Sequence, residues 1–190
     1  MDGKMQRLII ICGATGSGKT TIQNYLASKY GFERVITHTT RAPRKGEEDK
    51  KDYYFESEES FLKNHFVEQV KYAGFQYGSS HEGLKRAFEK SKTATIILDT
   101  QGAISYTKIV AAFEMIFWYI EVPSEKQLEM RILNRGQSEE EVKKRLASVE
   151  ARRDMKIPQN LEPFCEIIEN ALWKDTKRKI DKLLEFGRDN

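Results

Sequence analysis

The sequence predicts an α/β fold, a three-layer sandwich with helices on both faces of a mostly parallel sheet. Four short runs are nearly all apolar, and segments with apolar residues at helical spacing lie between them. Runs that are apolar on both faces are typical of parallel strands covered from both sides. The alternation of such strands with helices favours this fold class. The predicted strands are Leu8–Cys12, Thr95–Leu98, Met115–Val122 and Cys165–Ile168.

The first predicted strand leads into a glycine-rich segment that fits the pattern G-x-x-x-x-G-K-[ST] in full. In this pattern the backbone N–H groups surround phosphate oxygens, Lys19 reaches the terminal phosphates, and the Thr20 hydroxyl coordinates Mg²⁺. We therefore expect a nucleoside triphosphate as ligand. A helix follows, with Ile22 and Leu26 at helical spacing and Gly31 as its end. The predicted triphosphate-binding residues here are Gly13, Ala14, Thr15, Gly16, Ser17, Gly18, Lys19, Thr20 and Thr21.

Two segments interrupt the alternation of strands and helices, and each is interpreted as an insertion. Residues 37–83 contain Asp52–Phe55, a short helix capped by Ser57, and a strand over Phe66–Val70, so they predict a small β-rich subdomain. Residues 124–153 are helical and charged, which suits a mobile flap. The core then comprises residues 1–36, 84–123 and 154–190.

Helix patterns in the flap and the core are specific enough to test. Ser138 and Glu141 predict a capping box, and three later residues predict a narrow apolar seam: Val142, Leu146 and Val149. Helices are predicted over Ala103–Phe113 and Lys126–Arg135. The closing segment repeats apolar residues at helical spacing from Trp173 to Leu184.

Composition limits the classes of function. The 190 residues suit one domain, and 32 basic against 29 acidic residues leave a net charge of only +3, so we expect neither a nucleic-acid partner nor a membrane surface. Cys12 and Cys165, each in a predicted buried strand, are interpreted as small core side chains in a reducing compartment. With no apolar leader and no run near ~18 residues, we expect a cytoplasmic protein. Monomer and homodimer both stay open.

Further motifs follow the glycine-rich loop in a fixed order, ending at residue 136: Thr39-Thr-Arg-Ala-Pro-Arg44, Asp52-Tyr-Tyr-Phe55, Phe66-Val-Glu68, Tyr77-Gly-Ser79, Asp99-Thr-Gln-Gly102 and Arg131-Ile-Leu-Asn-Arg135-Gly136. Together with the loop, this series resembles the guanylate kinase family over nearly the whole chain. The resemblance implies a P-loop kinase three-layer sandwich with an inserted GMP-binding subdomain (37–83) and a helical lid (124–153). It also implies Mg²⁺-dependent transfer of the γ-phosphoryl group of ATP to GMP, with ATP and GMP as the small-molecule partners.

The resemblance assigns roles to individual residues. Catalytic roles fall on Lys19, Arg41, Arg135 and Arg145. Asn170 lies near the position that contacts the adenine of ATP. Thr20 is implied as a direct Mg²⁺ ligand, and Asp99 as a ligand that acts through water. The residues implied to bind GMP are Thr37, Arg41, Arg44, Tyr53, Glu68, Tyr77, Ser79 and Asp99.

The chemistry of these residues agrees with a guanine monophosphate. Guanine presents two adjacent donors, N1–H and the N2 amino group, and the carboxylate of Glu68 can accept both, whereas adenine presents an acceptor at N1. Pro43 keeps Arg41 and Arg44 out of a helix interior, so that both guanidinium groups can converge on one phosphate. That phosphate is already ionised near neutral pH, so the reaction needs no general base.

Several alternatives remain open from the sequence alone. Arg145 could pair with Glu141 at the surface, Arg135 could serve only the helix dipole, and Asp99 could be a helix N-cap. Of the three histidines, His38 is the one that could line the GMP pocket. Alternative functions are a kinase of the same fold acting on a ribose bisphosphate, and a non-catalytic guanylate-kinase-like binding module. Use of dGMP stays open.

The match to the family departs at two places. The family has Asp, any residue and Asp before Met-Gln-Gly, whereas this chain has only Asp99 before Thr-Gln-Gly102. The spacing from Arg135 to Arg145 is one residue shorter than the family pattern. The first departure removes an acid that could help to position Mg²⁺. The second leaves open which of Arg135 and Arg145 takes which role in the lid.

Overall fold

A computed structural model describes residues 5–44, 46–134 and 138–186. The strands are β1 (Arg7–Cys12), β2 (Glu33–Arg34), β3 (Thr37–Thr39), β4 (Tyr53–Phe55), β5 (Phe66–Tyr72), β6 (Phe75–Ser80), β7 (Thr93–Ile97), β8 (Glu114–Glu121) and β9 (Cys165–Glu169). The helices are α1 (Lys19–Tyr30), α2 (Glu58–Phe61), α3 (His81–Lys90), α4 (Thr100–Tyr106), α5 (Glu125–Leu133), α6 (Glu139–Leu146), α7 (Val149–Arg153) and α8 (Trp173–Phe186), and a 3-10 turn spans Glu162–Phe164.

The larger sheet has five strands in the order β2-β7-β1-β8-β9, and every pairing in it is parallel. All four predicted core strands are present. The edge strand β2 was not predicted, because two half-buried residues leave no apolar run to detect. The central position of β1 puts the glycine-rich loop at the middle of the sheet's carboxyl edge.

Alternate residues of β1 enter two separate hydrophobic cores. Leu8 and Ile10 pack with residues of α3 and α4 on one face of the sheet. Ile9 and Ile11 pack with residues of α1 and α8 on the other face. All four side chains are fully buried. The three-layer α/β sandwich is therefore confirmed, because a strand covered on both faces needs helices on both sides.

A second sheet, in the order β4-β3-β6-β5, lies within residues 37–83. β6 pairs antiparallel with both β3 and β5, and β4 runs parallel to β3. Ala73 and Gly74 join β5 to β6 with φ angles of 50° and 86°. Two consecutive positive φ angles are typical of the tight turn that closes a twisted hairpin. The sheet therefore carries residues of β3, β5 and β6 toward the glycine-rich loop.

The segment from Ser124 to Arg153 contains α5, α6 and α7. The predicted capping box at the start of α6 is confirmed, with the Ser138 and Glu141 side chains each bonded to the other's backbone N–H. The predicted apolar seam is wrong at Val149, which is 82% exposed, whereas Val142 is fully buried. The reason is a break in the helix, because Ser148 caps the new helix α7 and changes the helical phase.

Two other predictions need correction. The helix predicted over Ala103–Phe113 ends at Tyr106, so that residues 107–113 connect α4 to β8. Cys12 is buried, but Cys165 is only partly buried, because it begins β9 at the edge of the sheet. None of the described helices combines the length and apolarity needed to cross a membrane.

Candidate active site

The glycine-rich loop packs so tightly that glycine is required at two of its positions. Gly13 has a φ of 129°, and a Cβ there would lie 2.5 Å from the Ile120 carbonyl oxygen. Gly18 has a φ of 97°, and a Cβ there would lie 2.3 Å from the Asn170 amide nitrogen. Gly18 is also the N-cap of α1 and supplies no capping side chain. The first N–H groups of α1 are therefore available to an anion.

Lys19 and Asn170 each donate hydrogen bonds to carbonyl oxygens of the loop. The Lys19 ammonium donates to the carbonyl oxygens of Gly13 and Ala14, at 2.8 Å each. The Asn170 amide donates to the Ser17 carbonyl oxygen at 2.7 Å, and its own oxygen accepts from Thr176 at 2.9 Å. Asn170 thus links the loop to α8 through Thr176, and its implied contact with adenine stays a prediction.

A cleft lies between the glycine-rich loop and the second sheet, and we call it the acceptor cleft. It measures about 710 Å³ to its open mouth. Of the residues that the sequence implied for GMP, only Ser79 is outside its lining. The structure also brings Tyr72 and Asp154 to the cleft, neither of which was predicted. The predicted residues that line it are Thr37, Arg41, Arg44, Tyr53, Glu68, Tyr77 and Asp99.

Two arginines at one end of the acceptor cleft share an acidic partner. The Arg41 side chain, which is 7% exposed, lies 2.9 Å from Glu47 Oε2 and over the Tyr53 ring. The same carboxylate accepts from the Arg44 backbone N–H at 2.7 Å. Sequence reasoning missed Glu47, although its spacing of three residues from Arg44 was a usable signal. This end of the cleft is cationic, and an internal carboxylate balances part of its charge.

Glu68 lies in the acceptor cleft and is 6% exposed. Its Oε1 accepts from the Ser79 backbone N–H at 3.1 Å and from the Ser79 hydroxyl at 3.0 Å. Its Oε2 is buried and has no hydrogen-bond partner among the described residues. Burial raises the pKa of Glu68 to about 7, and the negative charge of Asp99 adds to the effect. A buried oxygen without a partner, at the wall of a cleft, indicates a ligand that donates hydrogen bonds.

Asp99 follows β7, which pairs directly with β1, so it lies next to the glycine-rich loop. Its Oδ1 accepts from the Gly102 backbone N–H at 2.6 Å, so the N-cap alternative is correct. Its Oδ2 lies 2.6 Å from Arg153, which also contacts Asp154 at 2.9 Å. Burial raises the pKa of Asp99. Sequence reasoning missed Arg153 and Asp154, because they lie more than 50 residues away along the chain.

A second cleft, which we call the donor cleft, adjoins the acceptor cleft at the glycine-rich loop. It measures about 1230 Å³ to its mouth and is lined by Gly16, Gly18, Lys19, Thr20 and Thr21 among others. Arg145 lines both clefts. Glu141, the alternative partner of Arg145, uses its carboxylate to close the capping box with Ser138. Arg135 lies outside the described residues. The two clefts meet at shared lining residues, which are Thr15, Lys19, Thr37, Arg44, Tyr53, Ile97 and Arg145.

His38 does not line either cleft, so that expectation is wrong. Its ring nitrogens bond the Glu56 carboxylate and the Ser80 hydroxyl, and its ring stacks on Tyr54. Successive residues of β3 point to opposite faces of the sheet, so His38 faces away from the cleft that Thr37 lines. His38 is therefore part of the packing of the second sheet.

A parallel sheet with this loop after its central strand, next to an acceptor cleft lined by arginines, is typical of a P-loop nucleotide kinase. Comparison with known proteins narrows the class. A family model described as guanylate kinase matches residues 5–186. The chain therefore belongs to the guanylate kinase family. The resemblance and the prediction of an ATP-dependent GMP kinase are confirmed.

Individual relatives agree with this family assignment. The chain is 35% identical over 147 residues to a guanylate kinase of Chlamydia muridarum, an alignment that covers 74% of this chain and 70% of the relative. It is 38% identical over 152 residues to a guanylate kinase of Caldanaerobacter subterraneus, covering 76% and 72%. The crystal structure of guanylate kinase from Anaplasma phagocytophilum superposes with a TM-score of 0.69 at 25% identity, covering 97% of this chain and 87% of that one.

Proposed function

We propose that the acceptor cleft binds GMP, that the donor cleft binds ATP, and that the γ-phosphoryl group passes between them where the clefts meet. GDP and ADP are the products. The observation that supports this most strongly is the set of cations at the shared wall, namely Lys19, Arg44 and Arg145. Phosphoryl transfer between two anions requires positive charge between donor and acceptor, and these side chains supply it.

The phosphate of GMP fits the arginine end of the acceptor cleft. Arg41 and Arg44 offer charge-assisted hydrogen bonds, and Tyr53 and Tyr77 line the same wall with neutral O–H donors. The incoming phosphate would take over the role of the Glu47 carboxylate beside Arg41. A monophosphate suits the site because its second ionisation near pH 6 leaves it a dianion at neutral pH.

The guanine base fits the Glu68 end. The unpartnered Oε2 is an acceptor on a residue that lines the cleft, and guanine N1–H with the N2 amino group would supply its donors. Ser79 lies behind Glu68 and acts on the base through that carboxylate. Asp99 lies near Glu68, because a Cβ at Gly102 would lie 3.1 Å from Glu68 Oε2 and 3.2 Å from Asp99 Oδ1.

The chemical step needs positioning more than proton transfer. The acceptor oxygen is already ionised, so no side chain has to remove a proton from it. We propose that residues 124–153 act as a lid that brings Arg145 and Arg135 onto the transferred group and excludes water. The core of residues 1–36, 84–123 and 154–190 and the GMP-binding subdomain of residues 37–83 would hold the two nucleotides in line.

Guanylate kinases are nucleotide kinases that generally use Mg²⁺. Thr20 fits a direct ligand, because it lies in the first turn of α1 and lines the donor cleft. Asp99 fits less well, because both of its oxygens are engaged by Gly102 and Arg153. Ile97, two residues before Asp99, is the position where the family pattern has its additional acid, and it lines both clefts. When bound, Mg²⁺ neutralises charge on the β- and γ-phosphates.

The alternative functions are less well supported. A ribose bisphosphate would offer Glu68 only hydroxyl donors and not the adjacent N–H pair of guanine, and a non-catalytic module would not need Lys19 and Thr20 in an intact loop. Phosphorylation of dGMP as a second acceptor would use the same acceptor cleft. Nucleotide substrates and two free thiols fit the cytoplasm as the proposed compartment.

The test is GMP-dependent formation of ADP by purified protein and its Lys19→Ala variant. We expect the variant to lose about 10²-fold or more in kcat, because a cation at the transferred group disappears. Lys29→Ala is the matched control, since Lys29 lies on the same helix but pairs with Asp181 away from both clefts. Unchanged turnover in Lys19→Ala, or no turnover with GMP in the wild type, would contradict the proposal.

A further inference from the structure

A hydrogen-bonded chain runs from the interior of the protein to the base end of the acceptor cleft. The Tyr106 hydroxyl lies 2.8 Å from the Ser79 hydroxyl, which lies 3.0 Å from Glu68 Oε1. Tyr106 and Ser79 are fully buried. Glu68 Oε2, the other oxygen of the same carboxylate, is buried without a hydrogen-bond partner among the described residues, and Glu68 lines the cleft.

The direction of the hydrogen bonds in this chain follows from the chemistry of its members. An ionised carboxylate only accepts, so the single hydroxyl hydrogen of Ser79 points at Glu68. Ser79 can then only accept from Tyr106, which must donate. Burial raises the pKa of Tyr106 well above its ordinary value, so the phenol keeps its proton at neutral pH. Hydrogen bonds in such a chain polarise and strengthen one another.

No group of α4 or α7 described near Glu68 takes over the hydrogen bonds that Ser79 donates to its carboxylate. The first turn of α4 packs against it, and a Cβ at Gly102 would lie 3.1 Å from Oε2. Asp99, at the start of that helix, adds negative charge that disfavours the Glu68 carboxylate, while Arg153 neutralises part of it. The donors that favour the carboxylate are therefore the Ser79 N–H and the Ser79 hydroxyl, which Tyr106 orients.

We propose that Tyr106 is a positioning residue for base recognition, which acts through Ser79 to keep Glu68 ionised with Oε2 turned toward guanine. The inference rests on the function proposed above. Tyr106 is the last residue of α4, whose N-cap is Asp99, so one short helix contributes to the base end of the cleft at both of its ends. The role of Tyr106 is indirect, because Ser79 and Glu68 lie between it and the substrate.

The experiment measures KM for GMP from pH 6 to pH 9 in wild type and Tyr106→Phe. In the wild type we expect KM to fall as pH rises through about 7, where Glu68 becomes a carboxylate. Losing one cooperating hydrogen bond should move this midpoint upward by about half to one pH unit. KM at pH 7 then rises roughly two- to fivefold, the two proteins converge near pH 9, and kcat stays within about twofold.

Two further variants separate a positioning role from a structural one. Ser79→Ala removes the hydroxyl that connects Tyr106 to Glu68. Adding Tyr106→Phe to that variant should therefore leave the midpoint of the pH dependence of KM unchanged. Tyr119→Phe is the matched control, because its buried hydroxyl donates to the Asp154 carbonyl at 2.9 Å and is outside the chain. It should lower thermal stability without moving the midpoint. A Tyr106→Phe midpoint equal to the wild type, or a shift that persists in the Ser79→Ala background, overturns the inference. Absence of GMP-dependent turnover in the wild type overturns the proposed function instead.

Discussion

Replacing Glu68 with Gln tests how the protein selects its base. Both Ser79 donors point at the Oε1 position, so the Gln oxygen must take that position to keep them satisfied. The new NH₂ group then lies where Oε2 was, buried and without a protein acceptor among the described residues. The N–H groups of guanine would then face the NH₂ group of Gln, so that donor meets donor. N1 of adenine is an acceptor and could take a hydrogen bond from that NH₂ group.

The expected loss combines two penalties. A charge-assisted hydrogen bond is worth about 1.5–3 kcal/mol, and a buried donor left unsatisfied costs about 1–3 kcal/mol. Together they predict a loss of about 2.5–6 kcal/mol in transition-state stabilisation for GMP, so that kcat/KM falls roughly 10²- to 10⁴-fold. The ratio of GMP to AMP activity should fall further, because AMP gains a partner. The pH dependence of KM around 7 should also disappear.

Steady-state assays with GMP and with AMP as acceptor give kcat/KM for GMP and the ratio of GMP to AMP activity. Glu56→Gln is the control, since Glu56 bonds His38 and Asn64 in the same subdomain and lines neither cleft. A Glu68→Gln protein with wild-type thermal stability and kcat/KM for GMP within about threefold of the wild type would refute the reasoning.

Two further predictions concern the phosphate end and the glycine-rich loop. Arg44→Ala should raise KM for GMP about 10- to 10²-fold with little change in KM for ATP, because a charged donor to the acceptor phosphate is lost; Arg86→Ala, outside both clefts, should leave both constants unchanged. Gly18→Ala should destabilise the fold by more than the ~1–2 kcal/mol expected for Gly31→Ala, as measured by denaturant unfolding. Both glycines have positive φ, but only at Gly18 would the new Cβ meet another group, the Asn170 amide at 2.3 Å. Equal losses in the two glycine variants would show that the contact with Asn170 relaxes freely.

The core of the fold was predictable because its signals are local. The strands buried on both faces are continuous apolar runs, as in Leu8–Cys12, and a single motif marks the loop that follows. Helix ends were less predictable. Apolar spacing continues past Tyr106 to Phe113, but the chain leaves the helix early, and the helical phase is reset at Ser148.

The candidate site was predictable where a motif carries the residue and unpredictable where a tertiary contact does. The ordered motifs contain Glu68 and Arg41, and both line the acceptor cleft. Tyr106 and Arg153 belong to no motif. They reach the site only because α4 packs on β5 and because α7 ends beside Asp99, and no local pattern records either contact.

The carboxylate of Glu47 beside Arg41 has a consequence for the selection of anions. Arg41 is never a bare buried charge, because its partner lies within the same subdomain. We therefore expect an anion that binds at Arg41 to displace the Glu47 carboxylate. A small monovalent anion would gain little binding free energy from displacing Glu47. A phosphate dianion that is joined to a base would gain binding free energy from the phosphate and from the base together. We therefore expect this subdomain to bind a nucleotide phosphate in preference to small monovalent anions.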